Sequence, residues 1–163
     1  MNKQLLLLRH GEAAYARAGA DFERPLTTAG AEDVRLMAGK TADRQIRLAG
    51  VFSSPARRAF DTAVLFATGI GLPADGIVTL DEVYEAPVRT LLRTVTSFSD
   101  KLSTVILVGH NPGLTELANY LSDAEIYNLP TAGLVMISFP FNEWRLVSQG
   151  TGRADFTDSP EAY

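Results

Sequence analysis

Apolar positions along this chain gather into a few unbroken runs, separated by stretches with helical spacing. "KQLLLLRH" (3–10) holds four consecutive leucines, and "STVILVGH" (103–110) is continuously apolar from Val105 to Val108. Runs of this length without alternation read as strands buried on both faces. "LAGVFSS" (48–54) reads as a third, shorter strand, and "GIVTLDEVYEA" (76–86) as a short strand followed by a loop. Two later strands are expected near "GLVMISF" (133–139) and "EWRLVS" (143–148).

Helical periodicity fills the intervals. Thr27 or Thr28, after the turn "RPLTTAG", can cap a helix that runs to about Lys40 with Ala31, Val34 and Ala38 on one face. Pro55 suits the first turn of a second helix, which places Ala59, Ala63, Phe66 and Ala67 together before "GIGLP" stops it. Pro87–Phe98 reads as a third helix, with Val88, Leu91, Leu92, Val95 and Phe98 inward. "NPGLTELANYLS" (111–122) reads as a fourth. Strand–helix alternation with apolar strands predicts an α/β three-layer sandwich, a mostly parallel central sheet with helices on both faces. One domain over residues 1–163 is expected, with a polar, loosely held tail from about Gly152.

Composition narrows the function classes. The chain has 163 residues, enough for one sizeable core. Its net charge is −4, against the basic surface a nucleic-acid binder needs. It contains no cysteine, so disulfides and thiolate metal sites are excluded. The leucine run ends at Arg9, too short for a signal-peptide core, and no stretch approaches the roughly 20 apolar residues of a membrane span. A cytoplasmic protein with no nucleic-acid or membrane partner is expected. The oligomeric state is not legible.

The chemistry lies where apolar runs stop. The chain has two histidines, and His10 and His110 each end a core strand. Ser53 and Ser54 end another, with Arg58 a turn later. In α/β sheets, ligands bind outside the carboxyl ends of the strands, so these residues converge if the strands are parallel neighbours. Arginine matches phosphate oxygens bidentately and keeps its charge. Arg9, Arg24 and Arg58 around neutral imidazoles oppose a divalent cation and suit a phosphoryl group. A histidine nitrogen can serve as nucleophile, and nearby cations hold it neutral. No metal and no cofactor are required.

These segments carry a family resemblance. "LLLLRHGEA" resembles the signature of the histidine phosphatase superfamily, the phosphoglycerate mutase-like proteins. "SSPARRAFDTA" is similar to its second motif, in a register that selects Arg58 over Arg57. "VILVGHNPGLTELA" is similar to its third. "RPLTTAG", "GHNP" and the compact length point to the branch of the bacterial phosphohistidine phosphatase SixA. The resemblance runs from about residue 3 to residue 140 and implies roles residue by residue. His10 is the expected phosphorylated nucleophile. Arg9, Arg58 and His110 bind the phosphate, and Arg24 adds a contact. Gly11 lets the backbone turn and offers its carbonyl to fix the His10 tautomer, and Asn111 lines the pocket.

A general acid is sought in "LDEVYEA". Glu82 fits the family's Leu-x-Glu spacing better than Glu85 and is preferred, although the SixA-like branch often lacks a dedicated acid. The Thr131–Gly133 segment reads as a plain strand entry. The resemblance implies a phosphatase whose partner is a phosphohistidine protein in signalling. A small phosphate ester is the alternative substrate, and a non-catalytic phosphate-binding module the alternative class.

Overall fold

The computed structural model describes residues 2–15 and 20–163. Six strands form one sheet: β1 (Gln4–Arg9), β2 (Gly50–Ser53), β3 (Ile77–Thr79), β4 (Thr104–Gly109), β5 (Leu134–Ser138) and β6 (Arg153–Asp158). Their order is β3-β2-β4-β1-β5-β6. β3, β2, β4 and β1 run parallel, and β5 and β6 are antiparallel additions. The described helices are α1 (Thr28–Asp43), α2 (Arg57–Gly69), α3 (Val88–Thr96) and α4 (Gly113–Leu121).

The leucine run explains the layering. Successive side chains on a strand point to opposite faces. Leu5 and Leu7 enter one core with Leu91 and Val95 of α3 and Leu114 and Leu117 of α4. Leu6 and Leu8 enter the other with Val34 and Met37 of α1 and Ala59, Ala63 and Phe66 of α2. All four leucines are fully buried, and each contributes about 1.5–3 kcal/mol by leaving water. The sheet is thus sandwiched between helical layers, as the run without alternation requires.

Local signals set the helix starts. The Thr27 side chain accepts a hydrogen bond from Gly30 N–H, so Thr27 is the cap and α1 begins at Thr28. α2 begins at Arg57, two residues after Pro55 rather than at it. α3 starts after Pro87, and its buried stripe includes Leu91 and Val95.

The C-terminal third differs from expectation in two ways. "EWRLVS" is not a strand: Trp144–Leu146 forms a single tight turn. Trp144 is fully buried, its backbone N–H on Asp100 Oδ1 and its indole N–H on the Leu102 carbonyl. Those fixed anchors hold the segment away from a ladder. The tail beyond Gly152 is not loose but forms β6, paired with β5. Arg153, Asp155 and Thr157 are exposed, Phe156 packs on the second core, and the Arg44 guanidinium lies 3.7 Å from the Phe156 ring centroid. Asp158 accepts the Tyr163 hydroxyl at 2.7 Å, tying down the terminus.

Candidate active site

The parallel register brings the histidines together. Arg9 pairs with Gly109, so His10 and His110 each lie one residue beyond the β1–β4 ladder. Neighbouring strands are about 4.8 Å apart, and the ring centroids sit 5.3 Å apart. Ser54 follows β2 at the same edge, with its N–H on the Val108 carbonyl. A cavity of about 510 Å³ opens there, lined by Arg9, His10, Arg24, Arg58, His110 and Asn111 among others. The sequence-predicted site is therefore assembled at one strand edge, with the exception of Glu82.

His10 is held in one proton arrangement. Its Nδ1 lies 2.8 Å from the Gly11 carbonyl. A carbonyl only accepts, so Nδ1 carries the proton and Nε2 keeps its lone pair. Burial, then the charges of Arg58, Arg9 and Arg24, press its pKa down to about 4, outweighing the Gly11 bond. The imidazole is neutral at physiological pH.

Gly11 is required for close approach rather than for a special turn. A Cβ there would lie 2.9 Å from the Gly30 carbonyl oxygen and 2.9 Å from Val34 Cγ2. Its N–H donates to Thr62 Oγ1 at 3.0 Å. The strand end is thereby locked to both α1 and α2.

His110 is anchored through its other nitrogen. Its Nε2 meets the Ser54 hydroxyl at 2.7 Å. Ser54 Oγ also accepts the Ala56 N–H. Both groups are satisfied when the hydroxyl donates to Nε2, which places the His110 proton on Nδ1. That Nδ1 is buried with no partner among the described residues. Burial first, then the neighbouring His10 and Arg58, lower its pKa to about 3.

The arginines are aimed by backbone carbonyls and carboxylates. Arg9 Nη1 donates to the Leu129 carbonyl at 2.9 Å. Arg58 is 2 % exposed. Its Nη1 donates to the Asp21 carbonyl at 2.9 Å, and its Nη2 to Asp21 Oδ2 at 3.2 Å and Glu85 Oε1 at 3.1 Å. The Nε–H groups of both Arg9 and Arg58 are buried and unpartnered among the described residues. Buried donors normally find acceptors. Two guanidinium N–H groups and one imidazole N–H among residues of one cavity can together serve an anionic acceptor.

Arg24 reaches the cavity, but its Nε donates to the Ala14 carbonyl and its Nη1 to Asp21 Oδ1. Asn111 spends its amide on Asn128 Oδ1 and the Leu129 carbonyl, so it holds the loop that orients Arg9. Thr131 lines the cavity wall, more than a strand entry.

The preference for Glu82 is corrected. Glu82 lines a separate, largely apolar cavity with Phe52, Leu80 and Phe98. Glu85 lines the histidine cavity against Arg58. The reason is local: a tight turn over Asp81–Val83 and a left-handed Glu85 (φ 49°) rotate the chain between the two carboxylates. Linear spacing cannot register that rotation. Asp21, Ser54, Thr62 and Tyr84 are further members of the network. Ser54 alone had a positional signal, at a strand end. Among the described residues no cluster of three or more His, Asp or Glu side chains is arranged to hold a metal ion.

Fold and site define a class. The family model described as the histidine phosphatase superfamily (branch 1) matches residues 5–91, and the chain belongs to that superfamily of phosphatases. Within it the chain is SixA-like. It is 31 % identical over 113 residues to the phosphohistidine phosphatase SixA of Escherichia coli K12, covering 67 % of this chain and 68 % of that protein. A structure of the protein histidine phosphatase SixA complexed with tungstate superposes with a TM-score of 0.83 at 25 % identity, covering 98 % of both chains. An uncharacterized protein of Mycobacterium tuberculosis H37Rv is 29 % identical over 133 residues, 82 % of this chain and 81 % of its own. Among the described residues no helix is long and apolar enough to cross a membrane.

Proposed function

We propose that this protein is a metal-independent phosphatase that works through a phosphohistidine at His10 and removes phosphate from phosphohistidine on a signalling protein. The supporting observation is the Nδ1–Gly11 hydrogen bond, which leaves the His10 Nε2 lone pair free in the cavity that Arg9, Arg58 and His110 also line, whose Arg9 Nε, Arg58 Nε and His110 Nδ1 have no partner among the described residues. Nε2 attacks phosphorus as the bond to the leaving nitrogen breaks. The leaving imidazole takes up a proton, and the phosphoryl group stays on His10. Water then attacks phosphorus, the P–Nε2 bond breaks, and inorganic phosphate departs with His10 neutral again. Arg9 and Arg58 stabilise the charge on the phosphoryl oxygens through both steps, and the His110 Nδ1–H donates to a third oxygen.

The substrate reading rests on likeness to SixA proteins. A phosphoramidate has a labile bond and a basic leaving nitrogen, so it makes little demand on a protein acid. Tungstate, the oxyanion bound to the SixA relative, has the tetrahedral shape expected of the ligand here.

One observation favours a second reading, hydrolysis of small phosphate esters. Glu85 stands in the cavity 3.1 Å from Arg58, where a carboxyl group can protonate a leaving alkoxide.

The deciding experiment traps the phosphoenzyme with chelator present, from labelled phosphohistidine peptide and from labelled alkyl phosphate. An acid-labile, alkali-stable label that is lost in His10→Ala is expected. Faster labelling by the peptide supports the first substrate reading, and faster labelling by the ester supports the second. Loss of turnover on chelation would overturn metal independence.

A further inference from the structure

Arg58 has five N–H hydrogens, and the structure distributes them unevenly. The outer end of its fork, Nη1 together with Nη2, faces one residue: Nη1 meets the Asp21 carbonyl and Nη2 the Asp21 carboxylate. Among the described residues, the side edge, Nε with Nη2, holds an unpartnered Nε–H and a single contact to Glu85. That edge is the bidentate fork still able to take two oxygens of one anion.

Asp21 is itself shared and locked. Oδ1 accepts from Arg24, while Oδ2 accepts from both Arg58 and the Tyr84 hydroxyl. The Tyr84 ring packs edge-on to His110 at 5.5 Å and to Phe22 at 5.2 Å. The tyrosine hydroxyl, then the arginines, keep the Asp21 carboxyl ionised, with a pKa lowered to about 2. One carboxylate thus sets two arginines of the cavity, and one tyrosine ties it to the second histidine.

We infer that Asp21 is a positioning residue, which clamps the outer end of Arg58 and turns the Nε–Nη2 edge toward the phosphate, with Tyr84 as its lock. This inference rests on the phosphate reading proposed above. Glu85 then yields its contact when phosphate arrives, whereas Asp21 keeps both of its own. Asp21 carries the same sign of charge as phosphate, so its effect falls on orientation in the transition state more than on ground-state binding.

The test compares Asp21→Asn, Tyr84→Phe, the double variant and Arg58→Ala. Turnover of p-nitrophenyl phosphate gives kcat, and competitive inhibition by inorganic phosphate gives ground-state affinity. In Asp21→Asn, kcat falls about 10- to 100-fold, the scale of a misplaced reacting group. Phosphate inhibition stays within about threefold, because losing a like charge offsets losing orientation. Tyr84→Phe shifts kcat the same way by about threefold. The double variant matches Asp21→Asn alone, because the tyrosine acts through the aspartate.

An unchanged kcat in Asp21→Asn overturns the inference. So does additivity in the double variant. So does loss of phosphate affinity to the level of Arg58→Ala, which would make Asp21 a mere loop anchor. If Asp21→Asn does not fold, Tyr84→Phe decides: lower kcat with intact phosphate affinity supports the clamp, and unchanged kcat overturns it. Failure of the phosphate reading shows separately, as wild-type protein that neither hydrolyses the ester nor is occupied by phosphate.

Discussion

His10 and His110 face each other across adjacent parallel strands with their ring centroids 5.3 Å apart and their planes tilted by 56°. They are neighbours in the same Nδ1–H form, anchored to the protein through opposite nitrogens. The Gly11 carbonyl fixes the proton of His10 on Nδ1, and the Ser54 hydroxyl on His110 Nε2 leaves the proton of His110 on its own Nδ1. One ring therefore offers a lone pair and the other a donor. Two cations side by side would repel, and burial among arginines prevents either from forming.

Replacing His10 by alanine removes the lone pair and keeps the cation cluster. Turnover is expected to fall by at least about 1,000-fold, the scale of losing a covalent nucleophile. Tungstate binding persists, because Arg9, Arg58 and His110 remain. Stopped-flow turnover and a tungstate titration check the two halves of this outcome.

The histidines make stability depend on pH in a stated direction. Their folded pKa values, about 4 for His10 and about 3 for His110, lie below the ordinary value near 6.5. The unfolded chain then binds more protons between those values, so acid favours unfolding. Their contribution is fully present above about pH 6.5 and is lost as pH falls through 4 and then 3. Urea midpoints measured from pH 7.5 to 3.5 should fall less steeply in His110→Asn than in wild type. Proton NMR titration should show both rings neutral at pH 6.

The two carboxylates should separate in kinetics. Glu85→Gln lowers kcat for an alkyl phosphate by about 10- to 100-fold, at or below the usual range for a lost general acid. It lowers kcat for phosphohistidine peptide far less. Glu82→Gln stays within about twofold on both substrates, because its side chain lines the other cavity. Parallel rate measurements on the two substrates give the comparison.

Gly11→Ala tests the close packing of the strand end. The added methyl would meet the Gly30 carbonyl oxygen and Val34 Cγ2, each at 2.9 Å. A cost of about 1–3 kcal/mol is expected from overpacking. Activity should fall as well, since the same residue supplies the carbonyl that orients His10. Denaturant unfolding and turnover on one preparation measure both effects.

The sequence by itself determined the parallel core and the residues at its edge. A short run of four leucines between polar residues reads as a strand buried on both faces, and Leu5–Leu8 divide between the two cores accordingly. Arg9, His10, Arg58 and His110 were legible because each interrupts an apolar run or opens a helix where α/β sheets bind ligands. Two things were decided by tertiary structure. Arg153–Asp158 became an edge strand because β5 offered a free ladder, and its short polar pattern is too weak to announce this alone. The placement of Glu85 rather than Glu82 in the histidine cavity came from a tight turn and a left-handed residue, and the gathering of Asp21 and Tyr84 around Arg58 came from the meeting of two loops distant in sequence. Strand burial is written in local hydrophobic pattern. The direction of a side chain from a loop depends on backbone angles that the packing around it selects.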